Sequence, residues 1–344
     1  MKRFFSLSLA LALCLTLFGC NSGTSGSSGS SAAFPASSAA SSEASPASSE
    51  TASSAVSSQP ASQPEAATAQ VAALKGPTAM GMVKMLSDDA ASASPKYEFT
   101  LAAFADELTP KLVQGELDLA AIPANLASVL YNNTQGQIQV LAVNTLGVLY
   151  IVESGSTVQS VEDLRGKTIY ASGKGSTPEY ALNYMLSQNG IDPETDVTIE
   201  WKSEHSECVA ALASQENAIA MLPQPFATTA QMKNESIRVA LDMTAEWEKL
   251  AAEKGDPVTL ITGVVVGRTE FVKENPELVK TFLSEYNDSI DYVNSETDAA
   301  AAMVGEFDIV PEAVAKTALP KCNITFLSGA EMKEKLAAYL QTLF

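Results

Sequence analysis

The chain has 344 residues, 46% of them apolar, with 40 acidic against 21 basic residues and a single histidine. That length allows one or two domains with well-buried cores and excludes both a disulfide-stapled miniprotein and a wholly disordered chain. A net charge of −19 repels phosphates, which argues against nucleic acid or an anionic membrane surface as a direct partner, and one histidine leaves little for zinc clusters, histidine-based triads or proton relays.

Residues 1–20 read as an export signal. Lys2 and Arg3 precede an apolar stretch from Phe4 to Phe18 that is too short and too early for an ordinary membrane span. The stretch ends Leu17-Phe18-Gly19-Cys20, which resembles the bacterial lipobox, although Phe18 is bulkier than that motif usually places there. The expected anchor is therefore Cys20, carrying diacylglycerol and palmitate. Residues 21–70 hold 18 Ser and 13 Ala, small side chains that bury too little to offset their ordering entropy. This segment is expected to be a disordered tether with a relaxed reach of roughly 40 Å, holding a domain off the extracytoplasmic face of a cell membrane. The folded part then keeps only Cys208 and Cys322, expected in different lobes and therefore as free, buried thiols.

From residue 71 onward short apolar runs alternate with amphipathic ones. Strands are predicted near 71–74, 97–102, 118–122, 139–143, 149–152, 168–171, 197–201, 218–222, 238–241 and 259–266. Helices are predicted between them near 78–86, 108–114, 124–131, 178–189, 207–214 and 225–233. The last eighty residues read as mostly helical, at 270–274, 276–294, 298–307, 311–318 and 329–343. This alternation is the pattern of an α/β protein with largely parallel sheets.

The chain also repeats its own punctuation. Lys75-Gly76-Pro77-Thr78 and Lys174-Gly175-Ser176-Thr177 each follow a predicted strand and open a helix. Ala121-Ile122-Pro123-Ala124-Asn125 and Met221-Leu222-Pro223-Gln224-Pro225 do the same, 48 and 49 residues later. The echo implies two βαβ-type lobes. Such loops sit at the carboxyl ends of parallel strands, where open α/β sheets bind ligands, and aim helix N–H groups at the gap. Gly76, Gly173 and Gly175 let the backbone approach a ligand, while Thr78, Ser176 and Thr177 can cap a helix or donate a hydroxyl.

These residues, with Gly115-Glu116-Leu117-Asp118-Leu119-Ala120-Ala121-Ile122-Pro123, Val161-Glu162-Asp163-Leu164-Arg165-Gly166-Lys167-Thr168-Ile169 and Leu222-Pro223-Gln224-Pro225, resemble the solute-binding lipoproteins of ABC transporters. The branch they resemble is the one that binds nitrate, taurine, alkanesulfonates and thiamine-pyrimidine precursors. The resemblance covers roughly residues 71–344 and implies the periplasmic binding protein type II fold: two lobes, each a mostly parallel sheet flanked by helices, joined by two crossings. On this chain it implies lobe 1 at 71–156 plus 264–344, lobe 2 at 157–263, and hinges near 149–156 and 261–266. The implied function is capture of a small anionic or heteroaromatic solute between the lobes by hinge closure. Delivery to a membrane permease and its ATPase follows, with no catalysis, no cofactor and no metal; the protein is expected to be a monomer.

Candidate ligand residues are Gly76, Thr78, Met80, Asn125 and Thr145 from the first lobe and Gly175, Ser176, Thr177, Gln224 and Phe226 from the second, with Thr262 near the return crossing. Asn125 and Gln224 offer both donor and acceptor. Tyr150, Tyr170, Trp201 and Phe226 can stack on a planar ring, though each also suits a core. Gly166-Lys167-Thr168 imitates the end of a phosphate-binding P-loop, but Val161 stands where that motif needs glycine and the triplet precedes a strand. His205 has no second histidine to share a metal. A non-transport surface receptor is the main alternative. An enzyme like the pyrimidine-precursor synthases would need a cysteine-rich motif that two isolated cysteines do not supply.

Overall fold

The computed structural model describes residues 68–343 apart from 256 and 257. The expected signal peptide, the acceptor Cys20 and nearly all of the expected tether lie outside the described residues. The tether's expected end at residue 70 moves back, because β1 (Ala69–Leu74) already pairs Ala69 with Tyr97 and Gln70 with Glu98.

In chain order, β1, α1 (Pro77–Met80), α2 (Val83–Ala90), β2 (Tyr97–Ala102), α3 (Ala105–Gln114), β3 (Leu119–Pro123), α4 (Ala124–Asn133) and β4 (Ile138–Leu146) begin the first lobe. The chain then crosses. The second lobe follows as β5 (Leu149–Ser154), β6 (Thr168–Ser172), α5 (Thr177–Gln188), β7 (Thr198–Lys202), α6 (His205–Ser214), β8 (Ile219–Pro223), α7 (Phe226–Lys233), β9 (Ile237–Asp242) and α8 (Met243–Lys254). It returns as β10 (Ile261–Arg268), α9 (Thr269–Glu274), α10 (Pro276–Ser295), α11 (Thr297–Glu306), α12 (Glu312–Ala318), β11 (Ile324–Ser328) and α13 (Gly329–Leu343).

The first sheet has the order β11-β4-β10-β3-β1-β2 and the second β7-β6-β8-β5-β9. The α/β two-lobe class is the expected one, but the strand sense is mixed. β1 is parallel to β2 and β3, and β6 to β7 and β8, whereas β10 runs against β3 and β4 and β5 against β8 and β9. A strand entering a lobe from the hinge starts at the edge where the βα strands end, so it must run opposite to them. The internal echo is real in topology: β1 between β2 and β3 corresponds to β6 between β7 and β8.

The same pairing corrects the expected hinges. Residues 149–154, expected as a crossing at the end of lobe 1, form a strand of the second sheet, and residues 261–266 already belong to the first. The crossings lie at Gly147–Val148 and between α8 and β10. Short apolar runs show that a strand exists but not which sheet it joins. The helix expected over 78–86 is two pieces, α1 and α2, and both α8 and β11 are additions.

Strand faces sort by alternation. Val71 and Ala73 pack with Met80, Met82, Phe282 and Tyr286 on one face of the first sheet. Ala72, Ile122 and Val264 pack on the other, in a cluster that continues through Leu260, Trp247 and Tyr339 to Ile151, Ile169 and Met221 of the second lobe. One core therefore runs through the crossing. Among the described residues no helix is long and apolar enough to cross a membrane.

Candidate functional site

The expected loops emerge where parallel strands end, and each is built by local chemistry. Gly76 has φ 138°, a region side chains avoid, and it turns the chain into α1. Thr78 Oγ1 donates to Leu74 O at 2.7 Å, while Lys75 is drawn aside by Asp308, whose Oδ2 lies 2.9 Å from its Nζ. Met80 is fully buried in the first-lobe core. The expectation that it contacts a ligand is corrected, since its helix face points into the packing against α10. In the second lobe Gly173 and Gly175 take φ 83° and 76°, Ser176 Oγ donates to Gly173 O at 2.9 Å, and Gly175 N–H donates to Glu179 Oε2 at 2.6 Å.

Three of the expected residues meet directly across the gap. Asn125, at the start of α4, accepts from Thr177 N–H at 2.9 Å and from Thr177 Oγ1 at 2.8 Å, and donates from Nδ2 to Gly175 O at 3.3 Å. The amino ends of α4 and α5, one from each lobe, therefore converge. A second interlobe contact runs from Tyr150, whose hydroxyl donates to Lys321 O at 3.1 Å, and α12 packs on α7 beside it.

Gln224 follows β8 and is 1% exposed. Its N–H donates to Val148 O at 2.9 Å, which ties it to the first crossing. Its Oε1 accepts from Thr228 N–H at 3.3 Å and Thr228 Oγ1 at 2.8 Å, leaving Nε2 buried without a partner. Thr145 is buried, with Oγ1 donating to Asn144 Oδ1 at 3.1 Å, and Asn144 Nδ2 is likewise unpartnered. Thr262 Oγ1 donates to Leu146 O, so it clasps the two crossings together. The orphaned nitrogen of Gln224 is a donor, because the Thr228 backbone N–H can only donate and must face Oε1; a buried donor left this way costs about 1–3 kcal/mol unless something accepts from it.

The aromatic candidates separate. The Phe226 ring lies 4.8 Å from His205. Tyr170 donates to Gln215 Oε1 at 3.1 Å, and Trp201 is half-buried beside the main core. His205 itself was set aside in the sequence. It stands at the start of α6, hydrogen-bonded through Nδ1 to Ser172 Oγ at the end of β6, and burial pushes its pKa down to about 4. Asn144 was also missed, although a polar residue inside the buried run of β4 was a usable signal for it.

The two cavities described lie elsewhere. One, of about 630 Å³, sits among Gly115, Gln135, Arg268 and Lys273, and another of about 330 Å³ lies between α2 and α10. Neither is lined by any expected ligand residue. Cys208 and Cys322 are both free and buried, in separate lobes as expected.

Residues 94–301 match the family described as ABC transporter, phosphonate, periplasmic substrate-binding protein. That is more than half of the chain, and the protein belongs to this family. It is the periplasmic-type substrate-binding component of an ABC importer. No curated protein matches it. Among solved structures, an ABC transporter from Parabacteroides distasonis is 20% identical with a TM-score of 0.66, covering 80% of this chain and 91% of its own. The periplasmic aliphatic sulphonate binding protein SsuA of Escherichia coli is 15% identical with a TM-score of 0.64, over 80% and 91%. The alkanesulfonate-binding protein SsuA of Xanthomonas axonopodis pv. citri, bound to MOPS, is 19% identical with a TM-score of 0.61, over 82% and 95%. At these identities the likeness establishes the fold.

Proposed function

We propose that the protein is lipid-anchored through Cys20 and captures a small organic oxyanion, of the phosphonate or sulfonate class, between its lobes for delivery to a membrane permease. The observation that carries this reading is the convergence of the α4 and α5 amino ends on one another. Helix amino ends present N–H donors and the positive end of the helix dipole, which together favour an anionic or acceptor-rich group. The family description, which names phosphonate, and the sulfonate-binding neighbours support the same class. Gln224 supplies the unpartnered donor Nε2, while Gly76, Thr78, Gly175 and Ser176 shape the two loops, with the Thr78 and Ser176 hydroxyls and the Gly175 N–H donating within them. Phe226, with His205 behind it, forms a wall against the organic part, and Thr145 and Thr262 brace the crossing. The expected net effect is preferential binding to the closed arrangement, since only there do contacts from both lobes reach one solute.

The test is a thermal-shift and calorimetric screen of alkylphosphonates, alkylsulfonates, nitrate and pyrimidines on the purified protein. A binding anion raises the melting temperature by mass action, by about 2.7 kcal/mol of stability at one hundred times its dissociation constant. Silence from every oxyanion combined with a response to an uncharged heterocycle would overturn the proposed class.

A further inference from the structure

The larger cavity sits at the far end of the first lobe from the gap. Gly115 leads into β3, residues 134–138 lead into β4, and Arg268 to Glu274 follow β10, which runs against both strands. The cavity therefore opens at the amino ends of β3 and β4, whereas the loops at Gly76 and Asn125 leave the carboxyl ends of β1 and β3. Its volume of about 630 Å³ lies within the range of small-molecule sites, about 300–1000 Å³.

Its walls are fixed by local bonds. Arg268 Nε donates to Leu117 O at 3.1 Å and Nη2 to Asp118 Oδ1 at 2.9 Å, while Nη1 lies 3.7 Å from Glu270 Oε2, beyond hydrogen-bond distance. A β-carbon at Gly115 would stand 3.7 Å from both Arg268 Cζ and Nη1, so glycine there leaves the guanidinium uncovered. On the other side Thr269 ties down the turn before β4, its Oγ1 donating to Gly136 O at 2.9 Å and its N–H to Gln137 O at 2.8 Å. Gln135 in that turn holds φ 54°, a region where non-glycine residues other than Asn, Asp and His are uncommon. Glycine would fit with less strain, yet a long amide side chain stands at the cavity wall. Tyr131 is 55% exposed, and its ring atoms lie 3.6–3.8 Å from where a Gly136 β-carbon would stand, so the ring rests at the cavity rim.

The chemistry of the walls selects the ligand. Gln114, Gln135 and Gln137 each offer a donor and an acceptor. The cations Arg268 and Lys273 are balanced by Glu270 and Glu274, so a simple anion meets two carboxylates and a simple cation meets two positive groups. Leu112 and Ile138 are buried behind the wall, which leaves Val113 as the exposed apolar lining and gives a hydrocarbon little to cover. Hydroxyl groups that both donate and accept suit all of these side chains, and the C–H face of a sugar ring suits an exposed tyrosine, whose body is apolar and whose tip is polar. We propose that this cavity is a second binding site, independent of the gap, for a neutral oligosaccharide.

The test is an NMR titration of the purified protein with cellotetraose, chitotetraose and maltotetraose, and with sulfate and spermidine as charged controls. Each is used at about 10 mM, ten times a millimolar dissociation constant. At least one tetrasaccharide is expected to shift the Gly115 and Gly136 amides while leaving Gly76 and Gly175 unmoved. Tyr131→Ala and Gln135→Gly are each expected to weaken that binding by about twofold to tenfold, the equivalent of one neutral contact. Gln135→Gly should do so without lowering the melting temperature, because φ 54° suits glycine. No shift with any tetrasaccharide, larger shifts at these amides with sulfate or spermidine, or unchanged affinity in either variant would overturn the proposal. The oxyanion screen reads the gap, so its outcome is separate from this one.

Discussion

Gly147 is the point where the first crossing has no room for a side chain. Its backbone is not in the left-handed region, so a substitution there is a purely steric perturbation. A β-carbon at 147 would lie 3.0 Å from Thr244 Cβ and 3.0 Å from Leu260 Cδ2, and closer still to Thr244 Oγ1. The contact with Thr244 Oγ1 is the tightest, and Thr244 cannot drift away from it, because its N–H donates to Asp242 Oδ1 at 2.9 Å. The crossing and the start of α8 must part instead. Overpacking of this kind costs about 1–3 kcal/mol, and at about 2–4 °C per kcal/mol for a chain near this size the melting temperature of Gly147→Ala should fall by about 2–12 °C. Thr244 Oγ1 is buried without a partner, so Thr244→Ala alone should be close to neutral, and in the Gly147→Ala background it should restore at least about 0.5 kcal/mol through coupling of touching residues. Calorimetric melting of the four proteins in the cycle measures this. A Gly147→Ala melting temperature equal to that of the parent, or strict additivity in the cycle, would refute the reasoning.

Glu153 offers a test at acid pH. Its side chain is fully buried and accepts from Thr157 N–H at 2.7 Å, Thr157 Oγ1 at 2.6 Å, Val158 N–H at 3.2 Å and Arg238 Nη2 at 2.7 Å. Burial works to raise its pKa, but these donors and the Arg238 charge outweigh it and hold the pKa below the ordinary 4.5. Its stabilisation is therefore fully present above pH 4.5 and lost as pH falls through the folded value. Glu153→Gln should cost about 2–3 kcal/mol at pH 7 and flatten the acid limb of a denaturation-against-pH series, and an unchanged acid limb would count against the assignment. His205 works over a higher window. Desolvation lowers its pKa to about 4 from an ordinary 6.5, so the unfolded chain binds the extra proton first and stability falls as pH drops from 6.5 toward 4, by at most about 1.4 kcal/mol per pH unit. The His205 ring resonances should stay in the neutral form down to pH 5 in NMR titration, and a midpoint near 6.5 would contradict the burial.

Most elements were legible because local signals coincide with local structure. Residues 97–102 form the expected strand to the residue. Ser176 and Pro178 mark the start of α5, where the N-cap is extended and proline sits in the first turn. The additional helix α8 was also written locally: Asp242 caps it by accepting from Thr244 and Ala245 N–H, Met243, Trp247, Leu250 and Ala251 form its buried stripe, and Gly255 ends it at φ 70°. β11 carries no such marks. It is a five-residue run between helices that becomes a strand only by pairing with β4.

The sequence by itself determined the α/β alternation, the two matched sets of loops and the small, glycine- and hydroxyl-bearing residues that build them, because caps, turns and periodic burial depend on neighbours a few positions apart. Only the tertiary structure decided that the crossing falls at Gly147, and that Met80 turns into the core while Asn125 reaches Thr177. Asn125 and Thr177 lie 52 positions apart. Their partners are selected by how sheets and helices from different parts of the chain pack, and no local pattern encodes that choice.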